Sequence, residues 1–292
     1  MMIQGGITAL VTPIRNGKVD EDSFRNLIES QIAAGIDGLV PCGTTGESAT
    51  LSHAEHKQVV EFTVKVVNKR VPVIAGAGSN NTLEAIALTQ HARQAGADAA
   101  LHISPYYNKP TQEGLYQHFA AVANAVDFPI IVYNIQSRTG VNILPETFAR
   151  MAELPQVVGI KEASGDVAQM AAMKQLGGDR IALLSGDDSL TLPVLAIGGV
   201  GVISVLSNIL PAEVSKLCRL WREGKAEEAR SCYYYLLDLS RDLFLETNPI
   251  LTKTALKMMG VIESDELRLP MCAPKEETRQ RLIATLKAYN LV

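Results

Sequence analysis

A chain of 292 residues, 47% of them hydrophobic, is long enough to bury one sizeable core or one domain plus an appendage. The net charge of −4 comes without a basic stretch or an acidic tail, which excludes nucleic acid and anionic membranes as expected partners. Cys42, Cys218, Cys232 and Cys272 lie far apart with no CxxC, so they read as reduced cytoplasmic thiols that mostly fill core space.

The start of the chain, MMIQGGITALVTP, has no basic n-region and no cleavage site, and it does not read as a signal peptide. Residues 7–13 form the first of eight short apolar runs; the others are 38–43, 71–78, 99–107, 129–134, 157–163, 181–188 and 201–208. Each is too short for a typical helix, and most end in glycine or a polar residue, which predicts strands. Amphipathic stretches lie between them. The first places Phe24, Leu27, Ile28 and Ile32 on one face and stops at Gly35. The second opens with Ser52 and carries Glu55 three residues on, the spelling of a capping box. Residues 189–212 carry no charge and are long enough to tempt a membrane reading. Pro193, Gly198, Gly199 and Gly201 instead predict a short helix, a turn and a strand. Strands that alternate with helices imply a parallel sheet, and eight such units in about 210 residues fit a closed (β/α)8 barrel better than an open doubly wound sheet. After about residue 212 only helical stretches remain. The expected division is an α/β barrel over 1–224 and a helical region over 225–292.

In such a barrel the site lies where strands end. The predicted ends offer Thr44, Thr45, Tyr106, Tyr107, Tyr133, Arg138 and Lys161. Lys161 follows the apolar run Val157–Ile160 and is expected in the barrel mouth. Burial there lowers an amine's pKa and makes it a nucleophile toward a ketone. An ion pair with Glu162 or Asp187 is the plain structural alternative. Tyr133 ends the neighbouring strand and is placed to move protons beside an imine. The glycines of GTTGE let backbone N–H groups approach a carboxylate, and Arg138 has the fork that binds one bidentately. The histidines, His53, His56, His91, His102 and His118, form no metal-binding spacing, and no GxSxG or P-loop is present. Metal-free imine chemistry with no cofactor is the class that fits.

The stretches GTTGES, SPYYNKPTQEGLYQHF, YNIQSRTG, GIKEASGD and LLSGDD, in that order and spacing, resemble the dihydrodipicolinate synthase family of pyruvate-dependent lyases, and the likeness runs nearly end to end. The resemblance implies that Lys161 forms an imine with pyruvate, that Tyr133 is the general acid/base, and that Thr44 links it to Tyr107. In that family the tyrosine matching Tyr107 comes from a neighbouring subunit, which implies a homotetramer built as a dimer of dimers. Thr45, Gly186 and the backbone at Ile203 would hold the pyruvate end. Arg138 would receive L-aspartate 4-semialdehyde in lysine and diaminopimelate synthesis. Ser48, Ala49, His53, His56, Asn80, Glu84 and Tyr106 resemble the site at which feedback-regulated members bind L-lysine. There Tyr106 and Tyr107 are expected on one strand end, facing opposite ways. Gln136 departs from the family's usual proline, which leaves the Arg138 loop freer. The rivals are a sister aldolase, such as an N-acetylneuraminate lyase or a 2-keto-3-deoxy sugar-acid aldolase, a metal-dependent aldolase, and an idle barrel used for binding.

Overall fold

The computed structural model describes residues 3–292. Strand β1 (Gly5–Ala9) leads into a small hairpin of β2 (Ile14–Arg15) and β3 (Lys18–Val19) and then α1 (Glu21–Ala33). Next come β4 (Gly38–Val40), α2 (His53–Val67), β5 (Ile74–Gly76), α3 (Thr82–Ala95), β6 (Ala99–Ile103) and α4 (Gln112–Ala125). The second half runs β7 (Ile130–Asn134), α5 (Gln136–Thr139), α6 (Pro145–Ala152), β8 (Val157–Glu162), α7 (Val167–Gly177), β9 (Ala182–Ser185), α8 (Thr191–Ala196), β10 (Gly201–Ser204) and α9 (Pro211–Arg222). Helices α10 (Ala226–Asp242), α11 (Ile250–Met258) and α12 (Glu276–Ala288) follow. Residues 189–212 do resolve into a short helix, a turn and a strand, and among the described residues no helix is long and apolar enough to cross a membrane.

The large sheet has the order β4-β1-β10-β9-β8-β7-β6-β5, with every pair parallel. A bridge between Leu39 and Val73 joins its two edges, and Gly76 N–H donates to the Pro41 carbonyl at 2.9 Å, so the sheet closes into the expected (β/α)8 barrel. Closure brings backbones so near that two glycines are required. A Cβ at Gly76 would lie 2.0 Å from the Cys42 carbonyl oxygen, and one at Gly201 2.1 Å from that of Gly5. The period of two along each strand sorts the side chains into layers. Ile7, Val40, Ile74, Leu101, Ile131, Leu184 and Ile203 fill the barrel interior. Val132, Ile160 and Leu183 face outward, where they pack with Phe119, Phe148 and Met170 of the helices.

Helix starts follow their cap residues. Ser52 and Glu55 form the complete capping box at α2, and Asp20, Asn81, Thr111 and Asp166 accept from N–H groups at the starts of α1, α3, α4 and α7. The β2–β3 hairpin fills the gap between the first apolar run and α1. Two local expectations are corrected. Strand β4 stops at Val40, because Cys42 and Glu47 adopt left-handed backbone, with φ of 55° and 53°. Strand β6 stops at Ile103, so Tyr106 and Tyr107 are not on a strand end; Tyr107 itself has φ 71°. Helix α11 falls within the C-terminal region expected to be helical. Ile250 to Leu256 are all buried, polar Thr252, Lys253 and Thr254 included, so the helix lacks the solvent face that marks an amphipathic pattern. Leu236, Leu239, Leu282 and Leu286 of α10 and α12 share one apolar cluster with Val214 and Leu217 of α9 and with Leu10, Phe24 and Leu39 of the barrel.

Candidate active site

The parallel register sets Tyr133 on β7 directly opposite Lys161 on β8, so both side chains enter the barrel from the same end. Each is 5% exposed, and the Lys161 Nζ lies 4.3 Å from the centre of the Tyr133 ring. Burial brings the amine down to about 8; Asp188 opposes that shift and Arg138 reinforces it. A usable fraction of Lys161 is therefore a free amine near neutral pH. Burial pushes the Tyr133 phenol up to about 12, against the opposing pull of Arg138 and the Thr44 side chain. Tyr133 thus carries its proton and can donate it. A Cβ at Gly186 would stand 3.0 Å from Lys161 Cε, so a larger residue there would push the amine out of place.

A cavity of about 470 Å³ opens over this pair. Thr44, Tyr133, Arg138 and Lys161 line it together. Arg138 is the third residue of the single turn α5, where Gln136 takes the first helical position. A proline's missing N–H costs nothing at that position, which accounts for the family's usual residue. Arg138 Nη2 donates to the Asn248 carbonyl at 3.4 Å. Thr45 is buried and outside the lining; its hydroxyl accepts from Asn248 Nδ2 at 2.9 Å. Ile203 is buried in β10. Just beyond it, Asp188 accepts from Ser204 Oγ and from the N–H groups of Val205 and Leu206, which fixes the end of that strand. Tyr107 is 89% exposed and does not reach the cavity of its own chain.

The same cavity extends past Ser48, Ala49, His53, His56, Glu84 and Tyr106. Glu84 accepts from Ser79 Oγ and lies 3.2 Å from His53 Nε2. His56 is buried, its Nδ1 has no partner, and burial pushes it down to about 4, so the ring is neutral and offers an acceptor. Asn80 Nδ2 donates to the Tyr106 carbonyl at 3.1 Å and so anchors this corner from outside the lining. Residues that sequence reasoning missed come from the last quarter of the chain. Asn248, Pro249, Pro270 and Met271 line the mouth. Their segment is held by the buried pair Lys253 Nζ–Glu47 Oε1 at 2.7 Å and by Arg268 on Glu55 and on the Gly17 and Thr50 carbonyls. No spacing signal marks them, because they act through a fold-back that only the tertiary structure shows. Among the described residues no group of three or more histidine, cysteine, aspartate or glutamate side chains is arranged to hold a metal ion.

A buried amine on a strand end, a phenol against it and a cationic fork at the mouth of a (β/α)8 barrel define an imine-forming lyase. The dihydrodipicolinate synthetase family model matches residues 2–289, and the chain belongs to that family. It is 57% identical over 291 residues to the 4-hydroxy-tetrahydrodipicolinate synthase of Syntrophobacter fumaroxidans, with all of both chains covered. Among solved structures it is similar to the dihydrodipicolinate synthase of Acinetobacter baumannii complexed with pyruvate, at 44% identity and a TM-score of 0.97 over the whole of both chains. It is likewise similar to the DHDPS of Cyanidioschyzon merolae with lysine bound, at 40% identity and a TM-score of 0.96 over 99% of each chain.

Proposed function

We propose that this chain condenses pyruvate with L-aspartate 4-semialdehyde to give 4-hydroxy-tetrahydrodipicolinate, a step of lysine and diaminopimelate biosynthesis. The observation that carries the reading is the buried Lys161 amine set 4.3 Å from the Tyr133 ring at the foot of the cavity. The free amine attacks the ketone carbon. Tyr133, linked to Thr44, protonates the departing oxygen, and water leaves to give the imine. Loss of a methyl proton yields an enamine, whose carbon attacks the aldehyde. The amino group of the second substrate then adds to the imine carbon and displaces Lys161, which regenerates the enzyme. The lysine is the electron sink, so the chemistry needs no metal or organic cofactor. Thr45, Gly186 and the backbone at Ile203 set the pyruvate end, and Arg138 takes the second substrate's carboxylate.

Tyr107 completes the relay from a second copy of the chain, as its exposure allows, within a cytoplasmic homotetramer. Residues 225–292 form a helical domain whose Asn248, Pro249, Pro270 and Met271 line the mouth. Borohydride reduction with pyruvate tests the reading: mass spectrometry should find the adduct on the peptide containing Lys161, and an adduct on another lysine overturns it. Arg138→Ala should retain that adduct while its kcat/KM for the semialdehyde falls by about 2–4 kcal/mol of transition-state stabilisation. Equal damage to trapping would move Arg138 to the pyruvate end.

L-lysine is the proposed inhibitor, bound by Ser48, Ala49, His53, His56, Asn80, Glu84 and Tyr106. The carboxylate of Glu84 is the group that would accept from its ammonium, and His56, whose buried Nδ1 has no partner, lines the same pocket. Inhibition should persist at saturating pyruvate, with a coupling of about 1–3 kcal/mol, and Glu84→Thr should abolish it. Inhibition that vanishes as pyruvate rises would place lysine in the catalytic pocket instead.

A further inference from the structure

Directly behind the reacting pair lies a buried carboxylate that the chemistry above leaves unused. Glu162 follows Lys161 on β8, Asn134 follows Tyr133 on β7, and the two are register partners. Alternation along the strands turns them to the outer side of the barrel, and both are fully buried. Glu162 Oε1 accepts from Asn134 Nδ2 at 2.6 Å and from Gln169 Nε2 at 3.2 Å. Its Oε2 accepts from Ser164 N at 3.1 Å and from Ser164 Oγ at 2.8 Å. Asn134 is equally committed: Nδ2 also donates to Asn142 Oδ1 at 2.8 Å, and Oδ1 accepts from Ile143 N at 3.0 Å. Asn142 and Gln169 close the ring, with Asn142 Nδ2 donating to Gln169 Oε1 at 2.7 Å.

We propose that Glu162 and Asn134 are positioning residues, whose buried hydrogen bond locks the ends of β7 and β8 together and so fixes the Tyr133 phenol against the Lys161 amine. The reasoning is physical. Four neutral donors satisfy this carboxylate, yet its desolvation is a cost that a well-packed apolar pair would not carry. Stability alone therefore does not call for it. A fully satisfied polar network does supply a single geometry. The bond joins the residues immediately after the two reacting ones, so a shift in it is passed through one Cα to each. Displacement of a reacting group by about 1 Å costs on the order of 100-fold in rate.

The inference rests on Lys161 being the imine-forming residue, and the test separates the two. The intact protein and the variants Glu162→Gln, Asn134→Asp and Asn134→Asp/Glu162→Gln are compared by the rate of borohydride-trapped pyruvate adduct, by kcat and KM, and by thermal unfolding. Either single change sets like groups face to face and should slow trapping and kcat roughly 10- to 100-fold per folded molecule, with a small change in KM for pyruvate. The reciprocal double variant restores a donor–acceptor pair and should recover most of the rate, a non-additivity that mere destabilisation would not produce. Should a single variant fail to fold, Ser164→Ala and Gln169→Ala, each removing one side-chain donor, should show a smaller loss in the same rate. Folded variants that trap pyruvate at the wild-type rate overturn the positioning role alone. A wild-type protein that traps no pyruvate overturns the imine reading beneath it.

Discussion

Lys161→Met is expected to abolish pyruvate trapping and turnover while making the protein more stable near neutral pH. Among the described residues no other amine lines the cavity, so the covalent route has no substitute there and the residual rate should be that of a protein with no nucleophile. The stability gain follows from the amine's folded-state value of about 8 against an ordinary 10.5. Below about 8 the folded protein buries a charge that the unfolded chain keeps in water, a cost of about 3 kcal/mol. Between about 8 and 10.5 the unfolded state holds a proton that the folded state has released, so wild-type stability rises with pH across that window. The methionine variant lacks this titration. Denaturant unfolding near neutrality and again near pH 10 measures both limits; the difference should be largest at neutrality and shrink on the alkaline side. Equal stabilities at neutral pH would mean that solvent reaches the amine.

Lys253→Met is expected to act in the opposite direction, costing about 3–5 kcal/mol of stability. Lys253 is fully buried, and its Nζ donates to Glu47 Oε1 at 2.7 Å and to the Glu266 carbonyl. Without the ammonium, the Glu47 carboxylate keeps, among the described residues, the Arg268 N–H at 3.1 Å in a buried setting. The double variant Glu47→Gln/Lys253→Met removes both charges and should recover much of the loss. Thermal or denaturant unfolding of the three proteins reads the effect. A single variant as stable as the wild type would show that Glu47 is relieved by another route.

The barrel was legible because its code is local. Eight apolar runs, each bounded by glycine or polar residues, and a capping box at Ser52 can be seen within windows of a few residues. Lys161 and Tyr133 were legible for the same reason: each is a reactive side chain closing an apolar run, and parallel register then makes them neighbours. What the sequence hid is what depends on distant segments. Lys253 reads as an ordinary helical lysine until Glu47 is placed beside it. Tyr106 and Tyr107 read as strand residues because nothing in their composition shows that the backbone turns left-handed at Tyr107. The sequence shows the Thr45 hydroxyl, but not that Asn248, 203 positions on, donates to it.

The clasp between the chain's last quarter and the loop after β4 also sets an order in time. The bonds Asn248–Thr45 and Lys253–Glu47 join residues 203 and 206 positions apart, and β1 pairs with β10 across a similar distance. Loop closures of that length come late, since their entropy is spent before any contact repays it. A nascent chain that has already extruded Thr44, Tyr133, Arg138 and Lys161 would still lack the wall formed by Asn248, Pro249, Pro270 and Met271. Under the proposed chemistry, competence would wait for the segment that carries Asn248 to Met271, and the amine of Lys161 would be made before the wall that encloses it.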